Sequence, residues 1–330
     1  EFRLLEDQTL ERQAVFDDDS HSDLPLFQIS AIETPWQSLP AGAGVGDLMH
    51  LALEAMLMES PIDDTLFWSN FWQQQLSSHQ LPLTLEMDFH AWLTTLSAHP
   101  IRLISSEPNN LDLEKLCKTQ RDGGLGEGLH YNDIQPIELN PSTNQEIEIG
   151  SLNKKQSALF RPSLSLNQLN QGAFCCEMGF TLPLSQTHSQ AIDDCVSAMV
   201  LAGVARPKLS YQRLGGLLTG FMDLIFEYDG RYYVLDYKTN KLMQGYDSWS
   251  CQQAILSHRY DVQAMLYVLA LHRYLSTRLA NYDYDRHMGG AIYWFIRGAD
   301  PLQPQQGVWH CKPSLAELES LSHIFSSQSL

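Results

Sequence analysis

The spacing of apolar residues changes along the chain, from helical early on to alternating later. Leu48, Leu51, Leu53 and Leu57 predict a helix over about 47–58, and two more helical patterns follow near 63–76 and 85–96. The run Ala41-Gly42-Ala43-Gly44-Val45-Gly46 reads as a flexible lead into the first of them. Residues 174–184 alternate as a strand, and 192–204 predict a helix stopped by Pro207. Two strands, Leu224–Tyr228 and Arg231–Leu235, flank Asp229-Gly230 within a hairpin of about 211–237. That dipeptide favours a tight turn because glycine tolerates positive φ. A long helix over about 252–279, a buried strand at 290–297 and an amphipathic helix at 313–325 complete the pattern. Strand, hairpin, helix, strand, helix predicts an α/β domain with a mixed central β-sheet. Residues 103–165 carry little pattern and predict an insertion of loops and short strands, and 1–40 predict an acidic linker or arm. The domain proper is therefore expected at 41–330.

Composition narrows this picture. The 330 residues suit one large domain or two smaller ones, and an apolar share of 44% is enough for a sizeable core. No run of about 18 apolar residues predicts a spanning helix, and no secretory leader is legible. A first residue of Glu1 rather than Met suggests a piece of a longer protein, and the lack of a leader or spanning run leads to the expectation of a cytoplasmic location with no membrane partner. The six cysteines show no CxxC spacing, which favours reduced thiols over a zinc or iron–sulfur clip. The net charge of −18 argues against nucleic acid until its distribution is considered. Residues 1–23 hold eight acids and two bases, whereas 201–300 hold eleven Lys or Arg against nine Asp or Glu. The hairpin thus lies in the least anionic stretch, which is compatible with a phosphate-bearing substrate.

The candidate chemistry sits on that hairpin. Gly220-Phe221-Met222-Asp223 precedes the turn and Asp236-Tyr237-Lys238 follows it. Folding brings the aspartates together, and alternation points Asp236 and Lys238 the same way with Tyr237 opposite. Two carboxylates can hold a hard divalent cation, and a lysine beside them can steady or deprotonate a water. On residues alone, His50 reads as an ordinary helix histidine or as a further ligand, and Glu54 lies one turn on. Gln263 and Tyr267 share a helix face and read either as packing or as contacts to phosphate, sugar or a stacked base. Glu177 opens a strand and is placed at a sheet edge rather than at the metal. The glycine run at 42–46 lacks the GK[ST] ending of a phosphate loop, so no ATP use is expected of these residues. No G-x-S-x-G supports a serine hydrolase.

The ordered set Gly46-x-x-x-His50, Gly220-x-x-Asp223, Asp236-x-Lys238 and Gln263-x-x-x-Tyr267 resembles the RecB-type nucleases of the PD-(D/E)xK superfamily. The likeness is strongest over about 211–310, including GFMDLIFEYDGRYYVLDYKTNKL and HRYDVQAMLYVLALHRYL. It implies a restriction-endonuclease-like core. It implies that His50, Asp223, Asp236 and the Tyr237 carbonyl bind Mg²⁺, with Mn²⁺ able to substitute, and that Lys238 orients or activates the attacking water. Gln263 and Tyr267 would then lie beside the DNA path. The activity implied is metal-dependent cleavage of single-stranded DNA, of the exodeoxyribonuclease V type, in repair and recombination. The partners implied are DNA, RecC- and RecD-like subunits, a helicase part of the same chain and a RecA-type recombinase. The other reading is a docking module for such partners whose nuclease centre is silent in isolation.

Overall fold

The structure, a computed structural model, describes residues 3–5, 35–59, 61–103, 163–170, 172–300, 302–303 and 305–326. Its helices are α1 (Ala43–Met58), α2 (Thr65–Ser78), α3 (Glu86–Ala98), α4 (Ser189–Met199), α5 (Ser248–Ser257), α6 (Tyr260–Arg278), α7 (Tyr284–His287) and α8 (Leu315–Ser326). Its strands are β1 (Arg3–Leu5), β2 (Ile101–Arg102), β3 (Ser163–Leu164), β4 (Phe174–His188), β5 (Arg213–Tyr228), β6 (Arg231–Lys238), β7 (Met288–Phe295) and β8 (Val308–Cys311). No described helix is long and apolar enough to cross a membrane.

The central sheet is mixed. It runs β1-β5-β6-β7-β8, with β4 also paired to β5. Among the described strands only β6 and β7 pair in parallel, and the helices between them supply the crossover that parallel pairing requires. Strand β5 organises the rest. β4 pairs along it from Arg213 to Phe226, while on its other edge β6 pairs at Leu224–Tyr228 and β1 at Leu217–Thr219. Between those two partners lies a fork at residues 220–223, where β5 and β6 part. The turn at Asp229 (φ 52°) and Gly230 (φ 73°) has positive φ at both central residues, as the Asp-Gly pair predicts. Strand β7 is buried along its whole length, which accounts for its unbroken apolar run.

Several boundaries differ from the sequence expectation. The glycine run is not a flexible lead, since α1 begins at Ala43. A Cβ on Gly46 would lie 3.3 Å from Thr239 Oγ1, so this glycine lets α1 approach the residue after Lys238. The expected long helix is two, α5 and α6, broken where Arg259 adopts φ 57°. The buried Arg259 guanidinium pairs there with Asp193 (2.7 Å) and Asp261 (3.1 Å), a charge requirement that periodicity does not reveal. Helix α4 ends at Met199, and Leu201 at φ 46° turns the chain well before Pro207.

The arm at 1–40 is partly built into the domain: Arg3–Leu5 form β1, and Trp36 stacks on Trp92 of α3 (centroids 6.2 Å). Residues 1–2 and 6–34 of that arm and nearly all of the insertion at 103–165 lie outside the described residues. Arg297, fully buried after β7, ties distant segments together. Its guanidinium donates to Thr239 O (2.7 Å), Trp36 O (2.6 Å), Leu39 O (3.3 Å) and Pro40 O, and lies over the Trp92 ring. The end of β6 and the lead into α1 are thereby fixed to one another.

Candidate active site

Strand geometry places the hairpin residues, and α1 brings His50 to them. At the fork the Tyr237 N–H donates to Asp223 Oδ2 (2.9 Å), replacing the ladder bond that β5 and β6 no longer share. His50 Nε2 lies 3.0 Å from the Tyr237 carbonyl, and its Nδ1 lies 3.6 Å from Asp223 Oδ2. A neutral imidazole donating from Nε2 keeps its Nδ1 lone pair on the carboxylate side, free to act as a ligand.

Glu177 joins this group. Ligand atoms of His50, Glu177 and Asp223 all lie within 4.8 Å of one another. The register Cys176↔Leu224 and Met178↔Met222 sets Glu177 opposite Asp223. Its φ of 48° is rare for a non-glycine residue and marks a local bend. The sequence reading left Glu177 at a sheet edge. The signal that finds it is the antiparallel register, which no helix or strand periodicity contains. His50, Glu54, Cys176, Glu177, Asp223 and Tyr237 line a pocket of about 10 Å³, room for one water or ion.

Asp236 and Lys238 stand apart from that trio, on the buried side. The Lys238 ammonium lies 2.8 Å from Asp236 Oδ2 and 4.3 Å from the centre of the Tyr260 ring. Burial alone would lower the lysine pKa, but Asp236 and Tyr260 hold it above its ordinary value, so Lys238 is a cation at neutral pH. Asp223 is pushed up to about 6, first by burial and next by Asp236, against the opposing pull of His50 and Lys238. Glu177 is raised too, by burial and Glu54, although His50 opposes this. Neighbouring carboxylates that resist ionisation together have the electrostatics of a cation site.

Gln263 and Tyr267 do share a face of α6, but under the site. Both are buried, Tyr267 to 1% exposure. Tyr293 Oη donates to Gln263 Oε1 (3.0 Å), Gln263 Nε2 to Tyr267 Oη (2.8 Å), and Tyr267 Oη to the Phe221 carbonyl (2.8 Å). A stacking role needs an exposed ring. These side chains instead hold the backbone of the fork.

The donor set fits a hard divalent cation: two carboxylates, a backbone carbonyl beside them and one imidazole, around a space of ionic size. Asp236 is the additional carboxylate next to it.

Comparison with known proteins agrees with this chemistry. Residues 181–325 match the model of the PD-(D/E)XK nuclease superfamily. The chain is 38% identical over 179 residues to the RecBCD enzyme subunit RecB of Escherichia coli (strain K12), covering 53% of this chain and 15% of that protein. It is 38% identical over 120 residues to the subunit from Haemophilus influenzae, 36% of this chain and 10% of that one. Against the subunit from Mycobacterium tuberculosis (strain H37Rv) it is 28% identical over 303 residues, 89% of this chain and 24% of the relative. The chain therefore spans under a quarter of the length of these relatives. Within that span, it carries a PD-(D/E)XK superfamily nuclease domain of the RecB type.

Proposed function

We propose that this domain hydrolyses phosphodiester bonds of single-stranded DNA with Mg²⁺, as the nuclease part of a RecBCD-type helicase–nuclease acting in repair and recombination. The observation that carries the reading is the convergence of His50, Glu177 and Asp223 at the β5–β6 fork, beside the Asp236–Lys238 pair. Glu177, Asp223, His50, Asp236 and the Tyr237 carbonyl would hold the cation. Once bound, it would neutralise phosphate charge and make water more acidic.

The chain's own groups have distinct tasks. Asp236 and the Tyr260 ring fix the Lys238 ammonium, which orients the attacking water and offsets the negative charge that grows on the phosphate. Its ion pair with Asp236 favours the protonated form, in keeping with a positional and electrostatic role. Asp223 must give up its proton to act as a ligand, and His50 beside it favours the ionised form.

The test is cleavage of labelled single-stranded DNA by the 330-residue chain in a Mg²⁺ and Mn²⁺ titration. Lys238→Ala should lower kcat by at least about 10²-fold, the typical loss of a group that stabilises transition-state charge. KM should change far less. Metal-independent cutting, or full activity in the lysine variant, would refute the assignment.

A further inference from the structure

We propose that Phe221 is a stacking platform for one unpaired base of the strand being cut, next to the scissile phosphate. The proposal rests on the DNA reading above and adds a subsite to it. From Leu217 to Leu224, buried residues alternate with more open ones along β5, and Phe221 lies on the open side with the half-buried Asp223 two residues on. On β4 the exposed positions opposite them are Gly179 and Glu177. The metal-side carboxylates and the Phe221 ring therefore share one face of the sheet.

The ring is 58% exposed, although aromatic residues usually contribute most when buried. It extends across Gly179, where a Cβ would come within 3.3 Å of it. A side chain at that position would crowd the ring, so glycine leaves room for it over β4 while much of it stays exposed. Beyond it, β4 and β5 present uncharged groups on the same face, Thr219 opposite Thr181 and then Leu217 opposite Pro183, with Arg3 of β1 in register with Thr219 on the other edge.

Two further observations select the occupant. Two residues of extended strand span about 7 Å, so a strand whose phosphate lies at Asp223 has its adjacent base within reach of Phe221. In addition, the β4 and β5 residues around the ring on this face are acidic or uncharged, so they offer phosphates little attraction. Base–aromatic stacking is the sequence-tolerant source of affinity that does not need basic groups. A paired base is already stacked in its duplex, so such a platform favours single strands. The backbone beneath it is held by the Tyr267 hydroxyl on the Phe221 carbonyl, which connects the buried Gln263–Tyr267 pair to DNA through this ring.

An abasic scan tests it. A labelled oligothymidylate, intact or with one abasic position moved along it, is titrated with the 330-residue chain in EDTA and read by fluorescence anisotropy. Phe221→Leu should weaken binding of the intact strand roughly 5- to 150-fold, and Phe221→Trp should restore it. One abasic position should cost the wild type a similar factor and cost Phe221→Leu nothing. If the leucine variant binds as tightly as wild type with the same abasic profile, the ring only covers Gly179 and the proposal is overturned. Should that variant melt early, the abasic profiles of wild type and Phe221→Trp decide alone, because stacking requires the same sensitive position in both. If the wild type binds no intact strand, the DNA reading itself fails, an outcome distinct from the loss of the subsite.

Discussion

The two sides of the active site are built differently. On the buried side, Asp236 is 2% exposed and its carboxylate meets a lysine flanked by Tyr260 and Tyr293. Behind them Tyr293, Gln263 and Tyr267 pass hydrogen bonds from one to the next. On the open side, His50, Glu177 and Asp223 are less enclosed and their acids resist ionisation. The buried side has its charges already balanced and sets geometry. The open side concentrates uncompensated negative charge where a cation can enter. Rigid support beneath and electrostatic tension above is the division a preorganised site needs.

The contrast is most sharply broken by Asp236→Ala. The Lys238 ammonium would lose its nearest carboxylate and keep ring faces and the weaker pull of Asp223, and removing one partner of a buried pair costs about 3–5 kcal/mol. Thermal unfolding of the metal-free protein should register that loss. A melting temperature equal to wild type would show that the buried side is not electrostatically closed.

Asp223→Asn should do the reverse. A carboxyl whose folded pKa is about 6 binds more protons in the folded than in the unfolded state. Its contribution is therefore favourable at low pH and is lost as pH rises from about 4 through about 6. Above that range the aspartate is a net burden, and replacing it should stabilise the metal-free protein by on the order of 1–3 kcal/mol while abolishing cleavage. Unfolding curves at pH 5 and pH 8 check the sign, because the gain should be larger at pH 8.

The smallest stability effect belongs to Glu177→Gln. Its side chain, only partly covered on the open face, predicts a change within about 0.5 kcal/mol, yet loss of a ligand should weaken Mn²⁺ binding by at least about tenfold. Calorimetric titration with Mn²⁺ separates the two quantities. Unchanged affinity would remove Glu177 from the site and leave it the edge residue its sequence context suggests.

Much of this was legible beforehand for identifiable reasons. The Asp229-Gly230 turn is a local conformational preference, so the hairpin and the proximity of Asp223 and Asp236 follow from a few adjacent residues. The strand β7 follows from an unbroken apolar run, although it lies two residues earlier than the expected 290–297, ending at Phe295. Arg259 is different: its left-handed backbone, which splits the expected long helix, depends on Asp193 some 66 positions earlier. Glu177 likewise gains meaning only from its partner across the sheet.

By itself the sequence determined the main elements around the hairpin, the mixed α/β class and the chemical types gathered there, because turn preference and side-chain periodicity act over a few residues. The tertiary structure decided which carboxylates meet His50 and which one is held by Lys238. It placed Gln263 and Tyr267 beneath the site and left Phe221 open above it. Those outcomes depend on strand register, on the close approach of α1 at Gly46 and on the Arg297 clamp. Each joins residues far apart in the chain, where local spacing carries no information.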